Sequence, residues 1–212
     1  MKRLAATLIF PLILSSFSAE DVALRVEEAL LSLQTLKAEF IQTYIPKSLT
    51  TQFQERGELY FQKKGLMKWV YEEPEEKIFL VRGSQILFYL PEENQLIKSS
   101  LTGYGRGTEI LDLLSGNIGV KERFQVEFTP PQSETASLYH ITLTPKEEGE
   151  YTSIYLEVEK KSWLIRKAVL FDWAGNRTEF RFNRIKTNIP LPETAFELKV
   201  PPDVEIIEEA IK

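Results

Sequence analysis

Cysteine is absent from the 212 residues. That excludes disulfides, thiolate zinc sites, cysteine nucleophiles and a lipid-anchored N-terminal cysteine. Histidine occurs once, at His140, too few for a histidine triad or cluster. A basic excess is missing as well: 26 Lys and Arg face 31 Asp and Glu, a net charge of −5. Nucleic acid is therefore not an expected partner. Past the N-terminus no stretch reaches the roughly 18 apolar residues of a membrane span. No repeat, linker or low-complexity block divides the chain.

Apolar residues make up 43% of the chain, with thirteen Phe, eight Tyr and three Trp. That is material for one sizeable core held without covalent staples. The N-terminus reads as a secretory leader. Lys2 and Arg3 precede an apolar run over residues 4–14, and Ser16-Phe17-Ser18 supplies small residues at cleavage spacing. The expected cut follows Ser18, leaving an exported, soluble domain over residues 19–212. Removing two cations with the leader takes the charge from −5 to −7.

Val22, Val26, Ala29, Leu30 and Leu33 then fall at i, i+4, i+7, i+8 and i+11. This spacing predicts a helix over residues 21 to about 36, capped by Asp21, with one buried face. Beyond it the period drops to two. Leu59 and Phe61 alternate with polar neighbours, as do Phe124, Val126 and Phe128, then Ile154, Leu156 and Val158, then Phe180 and Phe182. Turn signals such as Arg82-Gly83-Ser84 and Ala174-Gly175-Asn176 separate the runs. About ten or eleven antiparallel strands with one wet face are expected, the last near residues 196–200.

A glycine-rich loop, Gly103-Tyr104-Gly105-Arg106-Gly107, leads into a predicted two-turn helix bounded by Thr108 and Gly116. Its apolar face carries Ile110, Leu111, Leu113 and Leu114. The loop lacks the Gly-Lys-Ser/Thr ending of a phosphate loop. Two short helices cannot densely cover a ten-strand apolar face. The fold class is therefore mainly β with α (α+β): a strongly curved antiparallel half-barrel, with helices over an apolar hollow.

Residues 57–71, Gly-Glu-Leu-Tyr-Phe-Gln-Lys-Lys-Gly-Leu-Met-Lys-Trp-Val-Tyr, followed by Pro74, resemble the periplasmic outer-membrane lipoprotein carrier family of LolA type. Phe40-x-Gln42, Gly83, Tyr89, the leucine-rich helix ending at Gly116, Leu143-x-Pro145-Lys146, Asp172-x-x-Gly175, Phe196 and Pro202-x-Val204 extend the likeness over residues 22–207. The resemblance implies a carrier that shields lipoprotein acyl chains, without catalytic residues, metal or cofactor. Its implied partners are acylated lipoproteins, an inner-membrane ABC lipoprotein exporter and an outer-membrane lipoprotein receptor. A monomeric state is expected.

The resemblance also assigns residues. Leu59, Phe61, Met67 and Trp69 would contact acyl chains, with Met67 standing where the family usually has Phe. Ile110, Leu111, Leu113 and Leu114 would form the lid. The family's Arg-Pro reads Lys63-Lys64 here. Strand parity points Lys63 inward at the rim, where lid carbonyls would accept from it and make it the gating latch. Lys lacks the planar fork of Arg, and the plain alternative is a surface lysine snorkelling at a hairpin end. Likewise Met67 and Trp69 would fill an ordinary core equally well.

The glutamate runs at 72–76 and 147–150 read as solvated hairpin tips, and His140 as a wet-face residue. Carriers of other lipids, and envelope-stress sensors that bind a protein partner on the same fold, remain the alternative functions.

Overall fold

Helix α1 (Ala19–Ser32) opens the computed structural model, which describes residues 18–63, 65–100, 109–115, 119–130 and 136–208, the side chains at 109, 110 and 112 excepted. Its cap is Ser18, not Asp21. The Ser18 hydroxyl accepts the Asp21 backbone N–H at 3.0 Å, and the Asp21 carboxylate accepts the Ser18 N–H at 3.0 Å. A short acid three residues into a helix completes a capping box as readily as it caps one, which explains the displaced boundary. The Ser18 hydroxyl, then the Ser18 amide, hold the Asp21 carboxyl below its ordinary 3.8. The helix stops at Ser32 because Thr35 already belongs to β1 (Thr35–Ile45). Leu33 and Leu36 are buried from a cap and a strand instead.

Next come β2 (Phe53–Gln62), β3 (Leu66–Glu73), β4 (Lys77–Arg82), β5 (Gln85–Leu90) and β6 (Gln95–Ser100), a meander of hairpins. After α2 (Glu109–Ser115) and α3 (Val120–Arg123), a second meander runs through β7 (Phe124–Phe128), β8 (Leu138–Pro145), β9 (Tyr151–Glu159), β10 (Ile165–Asp172) and β11 (Arg177–Thr187). Its last strand pairs with β1, so Phe40 faces Phe182 and Tyr44 faces Thr178. The result is one curved, unclosed sheet with β1 in its interior. At Gly57 the backbones of β2 and β3 approach so closely that a Cβ would lie 1.9 Å from the Val70 carbonyl oxygen.

The sheet has twelve strands rather than ten or eleven. The addition is β12 (Glu205–Glu208), which pairs parallel to β6 at the edge. The expected strand at 196–200 does not form. Glu193–Phe196 is a single 3₁₀ turn, and the following residues run extended without sheet pairing. Side chains take the carbonyls here in place of a ladder: Arg82 reaches that of Phe196 and Lys68 that of Glu197.

Alternation sorts the side chains onto two faces. The concave face carries the main core, in which Phe40, Leu59, Trp69, Leu156, Leu170, Phe180 and Phe182 meet Val22, Val26 and Leu30 of α1. The convex face was expected to be wet, yet on β4 to β6 it carries a second core. There Leu80, Leu87, Tyr89 and Leu96 are covered by Phe196, with Leu191, Leu198 and Val204 alongside. Two cations pin this C-terminal strap: Lys68 Nζ donates to the Glu197 carbonyl at 2.7 Å and Arg82 to the Phe196 carbonyl at 3.1 Å. Burial pushes the Lys68 ammonium below its usual value, against the pull of Glu197. Among the described residues no helix is long and apolar enough to cross a membrane.

Candidate functional site

The sheet's curvature leaves a concave face wider than α1 alone can cover, and that face is organised in three levels. At one end α1 and α2 lie over the aliphatic part. Here Leu30, Leu36, Ala38, Leu59, Leu114 and Phe182 line a cavity of about 20 Å³, on the scale of one water molecule. Leu111 and Leu113 of α2 are buried in the same core. Val120 of α3 is fully buried, and the Gly119 N–H donates to Glu27 of α1 at 2.7 Å. The helices are thus tied to each other as well as to the sheet.

The next level is aromatic. Trp69 meets Phe40 edge-on at 4.8 Å between centroids, Phe180 at 5.7 Å and Phe182 at 6.2 Å. Phe40 also meets Tyr71 at 5.0 Å. Tyr71 then donates its hydroxyl to Gln42 at 2.9 Å, the first polar pair along this face.

Beyond it the face opens. A cleft of about 680 Å³ is lined by Tyr44, Glu150, Tyr151, Leu170, Trp173 and Thr178. A second hollow of about 360 Å³ shares Glu150 and Tyr151 with it and adds Arg123, Glu147 and Glu148. Trp173 donates its indole N–H to the Gly149 carbonyl at 2.6 Å and is still 64% exposed. Tyr44 stacks on Phe53, both exposed at the same end.

Leu59, Phe61, Met67 and Trp69 come together in the concave core, with Leu59 opposite Trp69 and Phe61 opposite Met67 across β2 and β3. Leu111, Leu113 and Leu114 join them from α2. The Ile110 side chain lies outside the described residues, as do the leader through residue 17, Lys64, the glycine loop with Arg106, Thr108 and Gly116.

Lys63 is exposed at the rim, in the turn that follows the end of β2 at Gln62. Its ammonium donates to the Leu31 carbonyl at 3.0 Å and its backbone N–H to Gln34 at 2.8 Å. The acceptor found is thus a carbonyl in the last turn of α1, where carbonyls lack helical partners and a cation meets the negative end of the dipole.

Tyr44, Tyr151 and Trp173 line the open end and were not legible as site residues. Their one signal is an aromatic, Trp173, inside the Asp172-Trp173-Ala174-Gly175 turn, where no core period requires it. His140 sits away from this site, with Nδ1 at 2.7 Å from the Tyr155 hydroxyl. Burial, then the charge of Glu157, push that phenol up to about 12. Among the described residues no three His, Cys, Asp or Glu gather as metal ligands.

Comparison with known proteins agrees with this architecture. The model of a family described as outer membrane lipoprotein carrier protein LolA matches residues 31–199. An outer-membrane lipoprotein carrier protein of Pseudomonas entomophila is 28% identical, covering 99% of this chain and all of its own length. One from Pseudomonas syringae pv. syringae is 27% identical, with 97% of each chain covered. Among solved structures, an uncharacterized conserved protein from Thermus thermophilus shares the fold with a TM-score of 0.59, at 14% identity over 90% of this chain and 99% of that one. MucB matches with a TM-score of 0.50 at 13% identity, over 89% of this chain and 65% of its own.

Proposed function

Since the chain belongs to the outer-membrane lipoprotein carrier family, LolA, we propose that it takes up the acyl chains of lipoproteins leaving the inner membrane and carries them across the periplasm. The observation that carries this reading is the concave face itself, apolar where α1 and α2 pack over it and widening at its other end into a cleft bordered by Tyr44, Leu170 and Thr178.

The energetics call for such a shield. Each methylene exposed to water costs about 0.8 kcal/mol, so a long acyl chain does not cross an aqueous gap unaided. A cavity of about 20 Å³ cannot accept a chain. Cargo entry therefore requires α1 and α2 to move off Leu36, Leu59 and Phe182, with Leu59, Phe61, Met67 and Trp69 exchanging helix contacts for acyl contacts. Closure over the empty hollow recovers the buried area that cargo otherwise supplies. That keeps affinity below the affinity of a membrane and permits delivery. Lys63 acts as the latch in this reading, because lifting the end of α1 breaks its bond to Leu31. No bond of the cargo is made or broken.

The same reading has the protein work as a monomer, loaded by an ABC lipoprotein exporter and unloaded by an outer-membrane receptor. Export by the N-terminal leader, cut after Ser18, removes the α1 cap from the mature chain and leaves a helix easier to lift. The family match favours the carrier over the stress-sensor alternative.

Native mass spectrometry of the mature protein from its own periplasm tests the proposal. The expected result is a bound acylated polypeptide and an N-terminus at Ala19. A bound small lipid moves the function to lipid transport. An empty protein that also refuses acylated peptides in vitro overturns the carrier reading.

A further inference from the structure

Trp69 is 2% exposed, and its indole Nε1–H has no hydrogen-bond partner among the described residues. Buried indole donors ordinarily find an acceptor, so one left open in a packed face calls for an explanation. Its neighbours Phe40, Phe180 and Phe182 offer only ring faces and edges.

The position of this donor along the concave face is informative. Strand β1 runs from Ala38 at the sealed cavity, through Phe40 against Trp69, to Gln42 and then Tyr44 at the open cleft. Strand β11 repeats the order, with Phe182 at the cavity, Phe180 against Trp69 and Thr178 at the cleft. Polarity therefore rises from the sealed end to the open one, and Trp69 lies where aliphatic lining gives way to the Gln42–Tyr71 pair.

An acylated glyceryl group has the same gradient. Its hydrocarbon ends at a carbonyl, and the polar head lies beyond. With chain ends beyond Leu36 and Leu114, where α1 and α2 lie over the sheet, and the head toward the cleft, the ester carbonyls fall at the level of the open donor. We propose that Trp69 Nε1–H donates a hydrogen bond to a carbonyl of the bound acyl glycerol, setting the depth to which the chains insert. This rests on the carrier reading and goes beyond it, because it makes Trp69 a reader of the acyl linkage and not only of hydrocarbon.

The test compares 1,2-dipalmitoylglycerol with its 1,2-dihexadecyl ether, which has the same chains and no carbonyl. The purified protein is expected to prefer the ester roughly three- to tenfold, and Trp69→Phe to bring the two affinities together. In the ¹H–¹⁵N spectrum the Trp69 indole peak, assigned by its NOEs to the Phe40, Phe180 and Phe182 rings, should move downfield with the ester and not with the ether. That readout uses the unaltered protein, so a poorly folded variant does not remove the test. Equal affinity for ester and ether, or an ester preference that survives in Trp69→Phe, overturns the carbonyl contact and leaves the carrier intact. Failure to bind either lipid overturns both.

Discussion

The two ends of the concave face share strands β1, β10 and β11 and differ in what lies over them. At the sealed end Leu36, Ala38, Ile165 and Phe182 meet α1 and α2 and leave about 20 Å³. A few residues along the same strands, Tyr44, Leu170 and Thr178 border about 680 Å³. The strand alternation continues from one end to the other, with Leu36, Ala38 and Phe182 inward at the first and Tyr44, Leu170 and Thr178 inward at the second. Coverage by helices turns that pattern into core in one place and leaves it as an accessible surface in the other. The same backbone thereby supplies stability at one end and an entry at the other.

Truncations at the two ends should differ most. Phe40→Ala removes a ring packed on Trp69 and Tyr71 and is expected to cost about 3–5 kcal/mol in denaturant unfolding. Tyr44→Ala, at an exposed ring on the same strand, should stay within about 1 kcal/mol. Equal losses would mean that the open end is as much a part of the core as the aromatic level beside it.

The helix cover is the next point of attack. Leu111→Glu places a charge in the core beneath α2. It should raise amide exchange over 109–115 and shorten retention of an acylated peptide, while pairing of β9 to β11 stays protected. Unchanged retention would detach α2 from the lid role.

A smaller effect is expected at the latch. Lys63→Leu loses one exposed hydrogen bond to Leu31, worth about 1 kcal/mol or less. Cargo uptake should persist and transfer to acceptor vesicles should slow, because a weaker closed state drives release less. Transfer at the unaltered rate would leave Lys63 as a helix-end tether only.

The smallest concerns the other end of α1. Asp21 has its carboxyl held below 3.8 by Ser18, so the stability it contributes is present above pH 4. It is lost as pH falls through the lowered folded value. The difference in Tm between the chain with Ser18 and its Asp21→Asn variant should shrink from pH 5 to pH 3. In a chain beginning at Ala19 that pH dependence should weaken, since the capping partner is gone.

Periodicity made much of this legible. Val22, Val26 and Leu30 marked the buried face of α1, and the alternating runs through Leu59, Ile154 and Phe180 marked the concave face, because neighbours three, four or two apart decide those patterns. The strap over β4 to β6 was hidden. Its evidence in the chain is that Ile78-Phe79-Leu80-Val81 and Ile86-Leu87-Phe88 do not alternate, a sign of strands buried on both sides. The covering residue, Phe196, lies more than a hundred positions away. At Lys63 the acceptor was hidden: its ammonium bonds the Leu31 carbonyl of α1 and not a carbonyl of the α2 lid.

Read alone, the sequence determined the mainly β class, the inward residues of the central strands, the exclusion of cysteine and histidine-cluster chemistry, and a family resemblance that the comparisons then established. Those follow from local spacing and composition. Tertiary structure alone decided that Lys63 reaches α1, that the C-terminal strap builds a second core, and that the concave face is closed at one end and open at the other. Each of these depends on which distant segments meet across the curved sheet, and a period of two or of 3.6 carries no information about a contact between residues a hundred positions apart.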